Sequence, residues 1–321
     1  MSHAVTQSDH LLKRGDVRGA ADLLQRAMQA GDALAARELA TWLLTGQYVR
    51  RDLAESRAMF EHSAGLGDQV SAGIVRAFVA GGVGGQADWP RALGLLREAA
   101  ASDPVAAAQL RLVESMNLSR DGEPGGTFPS EPLSEEPEIR RFPGFFTPDE
   151  CAYLVATAEP LLQPSLVVDP TTGRLVPNPI RTSSGVGFPF TDENPAIHAL
   201  NRRIAAASGT DVKSGEPLQI LHYAPGERYH EHNDALPGVA PTQQRVLTFL
   251  VYLDDDYDGG ETAFPRLGLS VKGCAGDGLL FRNATADGAV DPLAIHAGLP
   301  VTRGVKHVAS RWIRATPLIV E

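Results

Sequence analysis

Apolar positions in the first third of the chain recur at three- and four-residue steps, in segments that themselves recur. AADLLQRAMQ, SRAMFEHSA and ALGLLREAA each precede a short polar break, and ALAARELATWLL, VSAGIVRAFVAGG and VAAAQLRLVESM each follow one. That periodicity predicts amphipathic helices. The breaks are Gly31-Asp32, Gly67-Asp68 and Ser102-Asp103, spaced 36 and 35 residues apart. Two helices per unit at a fixed period predict an α-solenoid, in which each unit covers the apolar face of the next. An ordinary helical bundle is the competing reading.

The pattern is lost after Asn117. NLSRDGEPGGTFPSEPLSEEPEIR holds four prolines, three glycines and many acids, a composition that sustains neither a helix nor a core. It reads as a linker over 119–139, one that can pack along the next domain. Order resumes at FTPDEC, where Thr147 suits an N-cap, Pro148 the first helical position and Glu150 the third. The helix is expected to run through ECAYLVATAEPLLQ, and a second through NPAIHALNRRIAAAS. Beyond Glu216 the apolar runs shorten to strand length: LQILHY, RVLTFLVYL, GLLFRN and VTRGVKHVASRWIRAT, separated by turns such as DYDGGE and GCAGDG. Many short strands without intervening helices predict an antiparallel barrel or double-sheet jelly roll. The expected fold class is therefore α+β and multidomain: helical repeats over 1–118, the linker, and a jelly-roll domain with flanking helices over 140–321.

Composition narrows the setting. A chain of 321 residues with 43% hydrophobic residues can bury the cores of two domains. Its net charge of −10 argues against nucleic acid as a partner, since phosphate binding needs clustered Lys and Arg. The two cysteines, Cys151 and Cys274, give neither a disulfide framework nor a zinc spacing, and read as packed thiols in a reducing compartment. No apolar run reaches the roughly 18 residues of a membrane span, and MSHAVTQSDHLLKRG has no signal-type apolar core. The expectation is a soluble, cytoplasmic protein without a membrane partner.

Candidate chemistry begins at YHEHND, residues 229–234. Side chains two apart in a strand share a face, so His232 and Asp234 would project together as two metal ligands. His296 and His307 are candidates for a third. Two histidines and one carboxylate make the facial triad of non-haem Fe(II) oxygenases, which leaves three positions open. His230 and His222 alternate with the pair and could be ligands, supporting groups or plain strand residues. Lys306 follows His296 by ten residues. A lysine pointing into a barrel is costly unless paired, and a dicarboxylate co-substrate would pair it.

Residues 140–317 resemble the catalytic domain of prolyl 4-hydroxylases, members of the 2-oxoglutarate- and Fe(II)-dependent dioxygenases. The resemblance lies in IRTSSG (180–185), LQILHYAPGERYHEHND, RVLTFLVYLDDDYDGGETAFP, GDGLLFRN, IHAGLPVTRGVKH and the RW pair, in order. It implies a double-stranded β-helix fold. It implies that His232, Asp234 and His296 bind Fe(II), that Lys306 pairs with the C5 carboxylate of 2-oxoglutarate, and that Tyr223 and Thr262 hydrogen-bond that co-substrate. It places Arg181, Arg245 and Trp312 on the substrate side, and brings ascorbate as a further candidate cofactor. Plain structural readings stand beside these: Trp312 as a core aromatic, Arg245 as a partner of the DDDYD run, Tyr229 as packing, and His307 as an outward strand residue opposite Lys306. Arg314 stands where peptide hydroxylases of the family often have a histidine, and ALPGVAPTQQ (235–244) is short. The chemistry implied is hydroxylation of a prolyl residue in a peptide or protein, with succinate and CO₂ released. A hydroxylase of free amino acids or other small molecules, and a non-catalytic repeat scaffold, are the alternatives. The N-terminal third resembles tetratricopeptide-like repeats with a Gly-Asp turn, the third unit lacking its glycine. Such repeats would suit recruitment of a protein substrate.

Overall fold

The computed structural model describes residues 2–168, 175–177 and 180–318. These divide into two compact units, one of residues 2–125 with 189–200, the other of the described residues within 126–188 and 201–318. Among them, no helix is long and apolar enough to cross a membrane.

The first unit is built on antiparallel helix pairs. His3–Lys13 leads, followed by Val17–Gln29 with Ala33–Thr45, Leu53–Gly65 with Gln69–Gly81, and Trp89–Ala100 with Pro104–Ser115. The two Gly-Asp breaks have a mechanical reason. Gly31 and Gly67 take φ of +90° and +98°, a left-handed conformation that glycine adopts without a Cβ penalty. The aspartate that follows caps the next helix: Asp32 accepts from Leu34 N at 3.0 Å, and Asp68 from Ser71 N at 2.8 Å. Asp16, Asp52, Asp88 and Asp103 cap the remaining repeat helices in the same way. His3–Lys13 lies on a stretch without the repeat pattern, and forms because Val5, Leu11 and Leu12 pack onto the Ala20, Leu24, Ala35 and Trp42 core. Asp68 also pairs with Arg37 at 3.0 Å. Asp68→Ala should cost about 1–2 kcal/mol by the capping principle, read as a lower midpoint in thermal unfolding; an unchanged midpoint would reject the capping role.

Two antiparallel sheets frame the second unit, with two-stranded ribbons of Tyr257–Gly259 with Val301–Gly304 and of Leu166–Val168 with Leu175–Pro177 beside them. The larger has eight strands, in the spatial order Glu131–Glu135, Glu138–Phe142, Gly278–Arg282, Arg245–Tyr252, Lys306–Arg314, Leu218–Tyr223, Ser184–Phe188 and Gln163–Pro164. The smaller has four: Leu269–Val271, Thr262–Phe264, His296–Gly298 and Tyr229–His232. This is the expected jelly roll. The linker expectation is corrected in its second half. Residues 131–135 and 138–142 are strands of the larger sheet, because Ile139 and Phe142 are buried and need its edge. The second unit accordingly starts at 126 rather than 140, and residues 189–200 group with the repeats.

Thr147 caps the helix Pro148–Ala158 in a reciprocal capping box with Glu150. The helix ends before LLQ, since Pro160 lacks the N–H to continue it and a 3₁₀ turn takes over at Glu159–Leu161. Glu150 also holds Arg203 through contacts of 2.6 and 2.7 Å. The helix Pro195–Ser208 occupies the second expected helical segment. Cys151 is buried, as a packed thiol should be, but Cys274 is exposed. It sits in a turn whose polar anchor is Asp277, which accepts from the Cys274 backbone N–H at 2.9 Å.

Candidate active site

One cleft collects residues from both sheets. From the larger sheet come Leu221 and Tyr223, Leu250, and Lys306, Val308, Ser310 and Trp312, alternate residues that share the inner face of their strands. Register holds them level: Lys306 pairs with Tyr223, Val308 with Leu221 and Tyr252, and Ser310 with Leu250. The smaller sheet side contributes Tyr229, Asp234, Thr262, His296 and Gly298, and Arg181 lines the same cleft.

His232 and His296 are direct cross-strand partners in the smaller sheet. Asp234 lies two residues past the end of its strand, so the bend after His232, rather than a continuous strand face, turns its carboxylate toward them. Asp234 Oδ1 is 3.5 Å from His232 Nε2, and Oδ2 is 3.5 Å from His296 Nε2. The three donor atoms lie within 4.8 Å of one another. Cis ligands on bonds of about 2.1 Å lie roughly 3 Å apart, so a divalent ion needs only small inward movements. The donor chemistry also fits. His232 Nδ1 donates to His230 O at 2.8 Å, and His296 Nδ1 to Ala294 O at 3.0 Å. A ring nitrogen that donates to a backbone carbonyl fixes the tautomer and leaves Nε2 with its lone pair for a metal. Burial among Phe281 and Phe264 pushes the His296 imidazole down to about 4, so it is neutral at physiological pH. Burial would raise the Asp234 carboxyl, but His296 and His232 hold it well below the usual carboxylate range.

The other end of the cleft holds a buried cation. Lys306 is 4% exposed, its Nζ donating to Gly260 O at 2.6 Å. Among the described residues no carboxylate lies within ion-pair distance of it. Burial pushes its ammonium down to about 8. The Gly259-Gly260 turn that places this carbonyl has φ of +70° and +69° at its two glycines. A Cβ on Gly259 would come within 2.3 Å of Pro300 O, so the turn requires glycine there. Thr262 accepts from Tyr252 Oη at 2.9 Å, which leaves its own hydroxyl hydrogen for an acceptor in the cleft. Burial pushes the Tyr223 phenol up to about 12, so it remains a donor.

The remaining sequence candidates separate. Arg181 lies 5.4 Å over the Tyr229 ring and donates to Ser165 Oγ at 3.1 Å. Trp312 lines the cleft and is half-buried rather than enclosed in the core, with the Arg245 guanidinium 3.7 Å from its ring centroid. Arg245 does not reach the acidic run. It makes a bidentate pair with Glu216 at 2.7 and 2.8 Å, and Arg314 binds the same carboxylate at 2.6 Å. Tyr229 packs, stacking on His232 with centroids 3.4 Å apart. His307 does face away from Lys306, but it is buried on the far side of the sheet, where it pairs with Asp254. His222 sits beside it, 5.0 Å between ring centroids, and His230 is exposed. Neither joins the metal donors. Thr248, Asn283 and Glu216, which support the site, carry no motif of their own. Their one signal is a polar residue within or bordering an otherwise apolar strand.

The model of the 2OG-Fe(II) oxygenase superfamily matches residues 218–314. Prolyl 4-hydroxylase 1 of Arabidopsis thaliana is 39% identical over 206 residues, covering 59% of this chain and 73% of that protein. Probable prolyl 4-hydroxylase 10 of the same plant is 36% identical, covering 57% and 71%. Among solved structures, viral collagen prolyl hydroxylase of Paramecium Bursaria Chlorella virus-1 in complex with 2OG is 28% identical, with a TM-score of 0.46 over 56% of this chain and 96% of that one. Sustained identity to curated relatives, together with the metal donors in the matched region, shows that this chain belongs to the prolyl 4-hydroxylase family of 2OG-Fe(II) oxygenases, a 2-oxoglutarate-dependent dioxygenase with Fe(II) and 2-oxoglutarate as its cofactors.

Proposed function

We propose that this chain hydroxylates a prolyl residue of a peptide or protein. The observation that carries the reading is one cleft lined by Asp234 and His296 of the metal-donor cluster and by a buried lysine, in a relative of prolyl 4-hydroxylases. In this reading His232, Asp234 and His296 hold Fe(II). Lys306 offsets the cost of burying the C5 carboxylate of 2-oxoglutarate, a cost of several kcal/mol for an unpaired ion, while Tyr223 and Thr262 donate hydrogen bonds to the co-substrate. Arg181 and Trp312 flank the substrate, and Arg245 holds Trp312 in place. Bound Fe(II), 2-oxoglutarate and O₂ together supply the oxidation that turns C–H into C–OH with release of succinate and CO₂. The apolar walls at Leu221, Leu250 and Val308 keep water from the reacting centre. The helical repeats recruit the polypeptide, and the protein works in the cytoplasm, where Cys151 and Cys274 stay as thiols.

The test offers the full chain proline-rich peptides and, separately, free proline and other amino acids, with Fe(II) and 2-oxoglutarate, with and without ascorbate. Expected is a one-oxygen mass gain on peptidyl proline, matched mole for mole by succinate. Coupled turnover with free amino acids alone would replace the substrate assignment. No succinate in any arm would move the scaffold reading to the front.

A further inference from the structure

The hydrogen bonds behind Asp234 form a directed chain. Thr248 Oγ1 lies 2.6 Å from Asp234 Oδ2, and Asn283 Nδ2 lies 2.8 Å from Thr248 Oγ1. The three residues are 6%, 1% and 0% exposed, so water does not compete. An ionised carboxylate only accepts, so the single Thr248 hydroxyl proton points at Asp234. The threonine lone pairs then face Asn283, which must present its amide nitrogen. The flipped amide would set two acceptors against each other with no proton left between them. The required orientation leaves Asn283 Oδ1 buried without a partner, a cost that marks the nitrogen end as the one the fold needs.

The chain is also rigidly mounted. Thr248 is mid-strand, paired with Trp312 on one side and Phe281 on the other. Asn283 N donates to Val246 O at 2.9 Å, and Asp291 N to Asn283 O at 3.1 Å. Asn233, next to Asp234, donates through Nδ2 to Asp291 O at 2.7 Å, tying the ligand segment to the same point.

We propose that Thr248 and Asn283 are positioning residues, Thr248 engaging Oδ2 of Asp234 and Asn283 holding Thr248, so that the carboxylate offers the metal one oxygen, Oδ1, rather than two. The proposal rests on the metal-site reading above. A carboxylate without the Thr248 proton has two equivalent oxygens and can chelate through both, which uses up a coordination position that the co-substrate and O₂ require.

Metal-free full-length protein is titrated with Co(II), whose visible d–d absorption reports coordination number. Thr248→Val, nearly isosteric, removes the donor; Thr248→Ser keeps it; Asn283→Ala removes its anchor. Thr248→Val should bind Co(II) about 10–100-fold more weakly, the usual effect of losing an outer-sphere partner, with weaker d–d bands as the coordination number rises. Asn283→Ala should shift both readings the same way by less, and Thr248→Ser should restore both. A merely structural threonine would not change the spectrum or be rescued by serine. Unchanged affinity and spectrum in Thr248→Val, or no rescue in Thr248→Ser, overturns the proposal. Should circular dichroism show Thr248→Val unfolded, Asn283→Ala decides, and parent-like behaviour there overturns it. Failure of the parent protein itself to bind Co(II) would reject the metal-site reading and the relay with it.

Discussion

Asp234→Ala should abolish Fe(II)-dependent succinate production, a loss of about 10³-fold or more, since the whole contribution of the metal disappears with its carboxylate ligand. The geometry makes this residue harder to replace than either imidazole. Its carboxylate lies 3.5 Å from Nε2 of both histidines, so it is the anionic donor next to each of them. Without it, two neutral nitrogens remain, and they carry no charge to offset that of the cation. His230→Ala is the matching control from the same stretch. The His230 side chain is exposed and only its backbone carbonyl serves the site, accepting from His232 Nδ1. That variant should keep its metal and its activity. Equal losses in both variants, measured as bound iron and succinate formed, would show that the stretch matters for folding rather than for ligation. Because the His296 ring is already neutral well above about pH 4, its protonation should not limit metal binding between pH 6 and 8.

Lys306→Met should weaken 2-oxoglutarate binding by about 10²–10⁴-fold, the usual 3–5 kcal/mol for removing one member of a buried ion pair. It should leave Fe(II) binding close to that of the parent. The pH dependence separates a charge effect from lost packing. In the free protein, burial lowers the Lys306 pKa from 10.5 to about 8. Below that value the ammonium is charged and meets the carboxylate directly, so affinity should be flat. Above it, binding must first take up a proton, and the apparent Kd should rise by up to about tenfold per pH unit. Lys306→Met has no proton to lose at this site and should show no such slope. Anaerobic titration followed by the visible charge-transfer absorption of the Fe(II)–2-oxoglutarate complex reads both. A parent protein without the alkaline slope would mean that the carboxylate sits elsewhere.

The repeats and the candidate metal donors are both legible in the amino-acid sequence, for different physical reasons. Helix pairs are local objects. The three- and four-residue steps fix the buried face, and the Gly-Asp breaks supply both the left-handed turn and the N-cap. Residues some thirty apart therefore never have to be placed relative to one another to be understood. The metal donors are legible because their chemistry limits residue types so strongly, and because the family motifs run in order across more than half the chain.

What the sequence does not decide is any choice among equivalent partners. Arg245 has several acids to choose from, the DDDYD run among them. The cross-strand register that sets Arg245 opposite Arg314, with Gly215 bridged to Ile313, gives it Glu216 instead. His296 and His307 are both open as the third ligand on sequence grounds. Only the smaller sheet, by pairing His296 with His232, excludes the other, which the larger sheet turns toward Asp254. The acidic, proline-rich segment before Phe142 reads as linker by composition, yet its few apolar residues complete a sheet edge. The sequence by itself determined the repeat helices, the strands beyond Glu216, their order and the chemistry they carry, since these depend on neighbours along the chain. Which oxygen, which histidine and which arginine face the cleft depends on strand register and on partners tens of residues away, and only the tertiary structure decided them.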